Sequence, residues 1–143
     1  MWINHHAIFR VMASVDQTVT FANGLLLMLV TAVPFATEIV AEFLTTDAAS
    51  AGVALYAGLF ALVSLAYNLL WWRVARRGRR LDPNHDPRAT RTFSISLLLG
   101  LPLNLTAAAV AFWNPYTGFA ICTTLWLFWS ITPFDPLPND RDE

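Results

Sequence analysis

The chain has 143 residues, of which 56% are hydrophobic and only 13% are charged, and its mean hydropathy is +0.49. A soluble domain of this size needs more charge on its surface, so the composition favours a protein surrounded by lipid. The net charge of −1 indicates neither a nucleic-acid partner nor an acidic substrate, and the single cysteine, Cys122, excludes an intrachain disulfide and any paired-cysteine metal or redox motif.

The N-terminal stretch from Met1 to Arg10 reads Met-Trp-Ile-Asn-His-His-Ala-Ile-Phe-Arg. It is too short and too polar to cross a bilayer, and it lacks the basic leader and apolar stretch of a signal peptide. This stretch is compatible with a helix and predicts the cytoplasmic end of a crossing helix whose beginning is missing.

Uncharged runs define the full crossings. No Asp, Glu, Lys, Arg or His occurs in residues 17–37, 48–72 or 92–134, which are runs of 21, 25 and 43 residues. About 20 apolar residues span the hydrocarbon core as a helix, so the first two runs suit one crossing each and the third suits two. The third run divides at Asn114-Pro115, a strong turn signal.

The sequence therefore predicts an all-α integral membrane bundle. It has four full transmembrane helices, near residues 20–43, 52–72, 93–113 and 116–132, preceded by the end of a truncated N-terminal helix. Residues 1–134 form one transmembrane domain, and the acidic residues 135–143 form a tail that the composition predicts to be disordered.

The connection between the second and third crossings is rich in arginine. All nine basic residues of the chain are Arg, and seven of them lie here: Arg73, Arg76, Arg77, Arg79, Arg80, Arg88 and Arg91. Short Arg-rich loops stay on the cytoplasmic side, so the loop at Asp47 and the turn at Pro115 are predicted to face outward. Basic residues near the inner leaflet attract anionic headgroups, which makes membrane lipid an expected partner.

The aromatic belt agrees with this topology. Trp71 and Trp72 fall at the predicted inner interface and Trp113 at the outer one, where indole rings prefer to lie.

Several residue types inside the crossings predict packing features. Pro34 and Pro102 are each expected to kink a helix, because proline removes a backbone donor and clashes with the preceding turn. Ala54 and Gly58 form a small-xxx-small pair that suits close helix packing. Three asparagines are expected to form hydrogen bonds between helices: Asn23, Asn68 and Asn104.

Two pairs of ionisable residues are candidates for chemistry. His5 and His6 are adjacent, so on a helix they point about 100° apart and cannot share one metal ion; packing against another helix is the favoured role. Glu38 and Glu42 share a helix face near the outer end of a crossing. A ring of such carboxylates could concentrate cations at a pore mouth, although a position in headgroup water is favoured. No enzyme, metal-binding or cofactor-binding motif occurs.

The first half of the chain contains a tryptophan-x-asparagine-histidine-histidine string followed by a proline-phenylalanine-x-threonine segment. In these motifs it resembles the transmembrane protein 175 family of potassium channels. The matching residues, expected to support helix packing and assembly, are Trp2, Asn4, His5, His6, Asp16, Asn23, Pro34, Phe35, Thr37 and Glu42.

The resemblance implies a six-helix subunit with cytoplasmic termini that assembles in prokaryotic cell membranes as a homotetramer. Such channels pass potassium ions without the pore-loop filter of ordinary potassium channels. Asn4, His5 and His6 would belong to a polar cluster beside the family's first helix. This chain lacks the arginine-x-x-x-phenylalanine-serine-aspartate motif of that helix, and on the family's pattern Met1 falls inside the second helix.

Two functional interpretations follow. The leading one is a subunit, or a fragment of a subunit, of a potassium channel that conducts passively, with selectivity set by pore diameter and an apolar constriction. The alternative is a non-conducting four-helix membrane protein with an accessory or interaction role. An enzyme is disfavoured, since the histidine pair and the glutamate pair lie on opposite sides of the predicted membrane.

Overall fold

A computed structural model describes residues 17–75 and 87–131, and these residues form helices joined by short turns, without strands. The helices are α1 Gln17–Thr31, α2 Val33–Phe43, α3 Ala49–Ala75, α4 Pro87–Ala111 and α5 Pro115–Ile131. The first predicted crossing corresponds to α1 and α2 together, and each later crossing corresponds to one helix. The predicted N-terminal helix end and the acidic tail lie outside the described residues.

The break between α1 and α2 comes from a proline. Pro34 stands in the first turn of α2, where its missing N–H is least costly. The chain makes a tight turn just before it, with the Ala32 amide donating to the Leu29 carbonyl at 3.1 Å. The sequence predicted a kink here, and the structure shows an interrupted helix. By contrast, α4 continues through Pro102 without interruption.

In each of the two short connections, a side-chain oxygen accepts a hydrogen bond from a backbone amide near the start of the next helix. In the turn before α3, the Ala48 amide donates to the hydroxyl of Thr46 at 3.2 Å. Before α5, the Thr117 amide donates to Asn114 Oδ1 at 3.1 Å, and Pro115 occupies the first helical position. The arrangement of Asn114 and Pro115 is usual at a helix N-terminus, and it confirms the predicted turn there.

Helix α3 is the centre of the bundle, since it contacts each of the other four helices. The largest buried cluster joins α1, α3 and α4 and includes Leu26, Leu70 and Phe93. The ring of Phe93 packs edge-on against Trp71 with centroids 4.9 Å apart. A second cluster joins α3, α4 and α5 through small side chains, namely Ala57, Ala107 and Cys122.

Close helix packing occurs between α4 and α5 and not where the sequence predicted it. A Cβ placed on Gly58 would meet no atom within 4 Å, so the prediction for the Ala54–Gly58 pair was wrong for its glycine. At Gly118 a Cβ would lie 2.9 Å from the Ala107 carbonyl oxygen and 3.0 Å from Ala111. Glycine is required there because backbone stands against backbone.

Three spans among the described residues are long and apolar enough to cross a membrane: Gln17–Phe43, Ala49–Arg73 and Thr90–Ala111. The predicted fourth crossing corresponds to α5, which has 17 residues. The described residues therefore contain three helical spans that are long and apolar enough to cross a membrane, with α5 as the last helix of the described bundle. The helical membrane bundle itself is confirmed.

Candidate functional site

The residues that carry the family resemblance fall into two groups. Those of the first group lie outside the described residues: Trp2, Asn4, His5, His6 and Asp16. The residues of the second group lie on α1 and α2: Asn23, Pro34, Phe35, Thr37 and Glu42. A polar cluster that joins the two groups remains a prediction.

The second group is spread along one span rather than gathered into a pocket. Asn23 is half-buried on α1, whereas Pro34, Thr37 and Glu42 are exposed on α2, and Phe35 is 64% exposed. The Thr37 hydroxyl donates to the Val33 carbonyl of its own helix at 2.9 Å. The members of this group on α2 therefore present an outward surface, available to lipid or to another polypeptide.

The structure brings other polar residues together between α3 and α4. Asn68 Nδ2 donates to the carbonyl of Leu97 on α4 and to that of Ser64 on α3, both at 2.8 Å. One helical turn further toward the N-terminus of α3, the Ser64 hydroxyl accepts a hydrogen bond from Asn104 Nδ2 at 3.2 Å. The predicted hydrogen bonds between helices are confirmed for both asparagines, Asn68 and Asn104.

A tryptophan extends this network toward the arginine-rich end. Trp71 Nε1 donates to the Ser94 hydroxyl at 2.7 Å, and that hydroxyl donates to the Thr90 carbonyl at 2.8 Å. Trp71 is only 4% exposed, so its ring is buried between the helices rather than facing lipid, and its predicted depth at the inner interface stays a prediction. Trp113, by contrast, is 84% exposed just beyond the opposite end of α4, and its place in an aromatic belt stays a prediction.

The network fixes the register of α3 against α4. Lipid offers no hydrogen-bond partner, so polar side chains at membrane depth pair with other helices. The sequence pointed to the asparagines through their position in apolar runs. Ser64 and Ser94 were missed, because a serine in a membrane helix usually bonds to its own backbone and carries no distinguishing pattern.

The arginine-rich connection between α3 and α4 is described only at its two ends. Arg73 lies in the last turn of α3 with its guanidinium 5.2 Å from the ring centre of Trp72, a cation–π arrangement. Of the other arginines in this connection, Arg88 and Arg91 lie on α4. Four lie outside the described residues: Arg76, Arg77, Arg79 and Arg80. Within the described part of the chain, no group of three or more His, Cys, Asp or Glu side chains could hold a metal ion.

Comparison with known proteins agrees with the fold. No family model matches the chain. It is 34% identical over 131 residues to a potassium channel of Chamaesiphon minutus, which covers 92% of this chain and 64% of the relative. It is 40% identical over 115 residues to a potassium channel of Streptomyces collinus, which covers 78% of this chain and 56% of the relative.

A solved structure gives the same result. The crystal structure of a lysosomal potassium-selective channel TMEM175 homolog from Chamaesiphon minutus matches with a TM-score of 0.78 and 32% identity. The match covers 92% of this chain and 65% of that one, and the chain spans between 56% and 65% of the length of these relatives. In sequence and in fold, this integral membrane protein is similar to a TMEM175 homolog over 92% of its own length.

Proposed function

We propose that the chain is a subunit, or part of a subunit, of a potassium channel that conducts passively and without a pore-loop filter. The observation that carries the proposal is the match over 92% of the chain to a potassium-selective channel of the same fold. The described residues contribute a bundle in which Asn68, Asn104 and Trp71 form hydrogen bonds between α3 and α4, which suits a scaffold that holds a pore. Selectivity would then depend on pore diameter and an apolar constriction.

Flux through liposomes tests this proposal. The purified chain is reconstituted, and potassium efflux is compared with sodium efflux; the Chamaesiphon minutus channel serves as the positive control. Potassium-selective flux from this chain would support conduction by the chain itself. An inactive chain beside an active control would contradict it, and would favour the alternative of a non-conducting membrane protein.

The proposal includes assembly as a homotetramer in a prokaryotic cell membrane. The α1–α2 span is the least packed within the chain, with 17% of its apolar window buried against 39% for the α3 span. Its large exposed side chains include Phe21, Met28 and Phe35, which leaves an apolar surface for neighbouring subunits. Mass measurement of the complex released from nanodiscs tests the subunit number, and a monomer at all concentrations would contradict it.

Anionic lipid is the partner proposed for the basic loop. Arg73 beside Trp72 at the end of α3 supports this, because a guanidinium on an indole ring is typical of an interfacial position. Retention of phosphatidylglycerol over phosphatidylcholine, measured by native mass spectrometry, tests it. Substituting Gln for four loop arginines should abolish the preference, and an unchanged preference would refute it; the four are Arg76, Arg77, Arg79 and Arg80.

A further inference from the structure

A cavity of about 70 Å³ lies between α3, α4 and α5, apart from the residues that carry the family resemblance. Most of its lining is apolar, with Phe60 from α3, Leu97 from α4, and Leu125 and Trp126 from α5. Trp126 is 52% exposed, so the cavity lies beside a surface that faces lipid. A ligand could therefore enter from the membrane.

One wall of the cavity holds a buried acceptor, the side-chain oxygen of Asn104. Asn104 is only 6% exposed, and its Nδ2 donates both hydrogens, to the Gly100 carbonyl at 2.8 Å and to the Ser64 hydroxyl at 3.2 Å. Because a carbonyl can only accept, the atom beside Gly100 must be the amide nitrogen, which fixes the orientation of the side chain. Asn104 Oδ1 then lacks a donor among the described residues.

A donor stands beside this acceptor. The Ser64 oxygen accepts from Asn104, and its own hydrogen has no acceptor among the residues that the structure describes. The two other hydroxyl groups in the lining are engaged differently: Ser130 donates to the Trp126 carbonyl at 2.9 Å, and Tyr67 has a further interaction of its own. The cavity thus offers one acceptor and one donor side by side in an apolar setting.

We propose that this cavity binds a short-chain alcohol or a similar small molecule with one hydroxyl group and an apolar body. A hydroxyl donates once and accepts readily, which matches Asn104 Oδ1 and the Ser64 hydroxyl. The aromatic and aliphatic wall would cover the apolar body. A buried water would find fewer polar partners here than the three it typically makes. The cavity has about half the volume of an engineered cavity that binds benzene, so the apolar body of a four-carbon alcohol would extend past the half-exposed Trp126 toward lipid.

Photolabelling tests the site without any measurement of ion flux, so its outcome is independent of the proposed channel function. The purified chain in nanodiscs is labelled with a diazirine analogue of butanol, and the adducts are mapped by mass spectrometry. We expect adducts on cavity residues such as Trp126 and Leu125. Excess butanol should compete, whereas a diazirine analogue of butane should label these residues weakly.

Two variants identify the polar contacts. Asn104→Leu keeps a similar volume and removes the acceptor, and Ser64→Ala removes the donor; each should lower the labelling of cavity residues several-fold. Thr106→Val is the matched control, since that hydroxyl bonds to the Pro102 carbonyl of its own helix and lies outside the cavity. Circular dichroism identifies any variant that does not fold, in which case the other variant decides.

Three results would overturn the proposal. The first is labelling spread evenly over lipid-facing residues and unaffected by butanol. The second is equal labelling by the butane analogue, which would show that the hydroxyl is not recognised. The third is a folded Asn104→Leu or Ser64→Ala variant that is labelled like the unmodified chain.

Discussion

Replacing Gly118 by alanine tests the closest contact between α4 and α5. The added Cβ would lie 2.9 Å from the Ala107 carbonyl oxygen and 3.0 Å from both Cα and Cβ of Ala111. Carbon atoms in contact prefer separations of about 3.5–4.0 Å, so the methyl group does not fit. The opposing atoms belong to the backbone or sit directly on it. No rotamer change can relieve the clash, and the two helices must move apart.

Two opposing effects set the magnitude. Alanine favours a helix interior over glycine by about 1 kcal/mol. Overpacking typically costs about 1–3 kcal/mol, and moving two helices apart by about 0.5–1 Å loses a quarter to a half of the dispersion energy at each contact. Because the whole α4–α5 interface is affected, the second effect should win. We expect Gly118→Ala to lower the free energy of unfolding by about 1–2 kcal/mol.

Unfolding in mixed micelles of increasing SDS content, followed by far-ultraviolet circular dichroism, measures this change. Gly58→Ala is the matched control, since a Cβ at that position meets no atom within 4 Å. The control should be unchanged or up to about 1 kcal/mol more stable through helix propensity alone. If Gly118→Ala is as stable as Gly58→Ala, the close approach of α4 and α5 is not as the structure shows it.

Three further substitutions probe single features. Asn68→Leu removes the hydrogen bond to the Leu97 carbonyl and should cost about 0.6–1.7 kcal/mol in the same titration; a neutral result would show that the bond does not hold the helices together. Trp71→Phe removes the indole donor to the Ser94 hydroxyl and should lower the free energy of unfolding by about 1–3 kcal/mol. If the free energy of unfolding and the near-ultraviolet dichroism are both unchanged, Trp71 is not buried as the structure shows it. Pro34→Ala restores a backbone donor and should slow amide hydrogen exchange at the break between α1 and α2; unchanged exchange would mean that the proline does not cause the break.

Sequence reasoning succeeded where local chemistry decides the structure. Asn114-Pro115 combines a side-chain acceptor with a residue that lacks a backbone donor, and this pair begins α5 in the structure as the turn signal predicted. Pro34 interrupts the first crossing for an equally local reason. Asn68 and Asn104 were found because an amide inside an apolar run must find a partner within the protein.

The sequence was less informative about which surfaces meet. The pairs Ala54–Gly58 and Ala107–Ala111 have the same small-xxx-small spacing, yet only the second accepts a glycine of another helix, Gly118. Likewise, Trp71 and Trp72 are neighbours with the same local environment in the sequence, but only Trp71 turns toward α4 and Ser94. Such differences arise from the arrangement of whole helices, which no short pattern contains.

The same reasoning explains why the spans differ so much in burial. All three candidate spans are strongly apolar, yet the share of the window buried within the chain is 17% for Gln17–Phe43, 28% for Thr90–Ala111 and 39% for Ala49–Arg73. Lipid is as apolar as a leucine side chain, so hydrophobicity does not favour one helix contact over another inside the membrane. What distinguishes α3 and α4 is their small residues and shared hydrogen bonds. The α1–α2 span offers few of these contacts within the chain, so any further helix or subunit that packs on this bundle would add the most burial there.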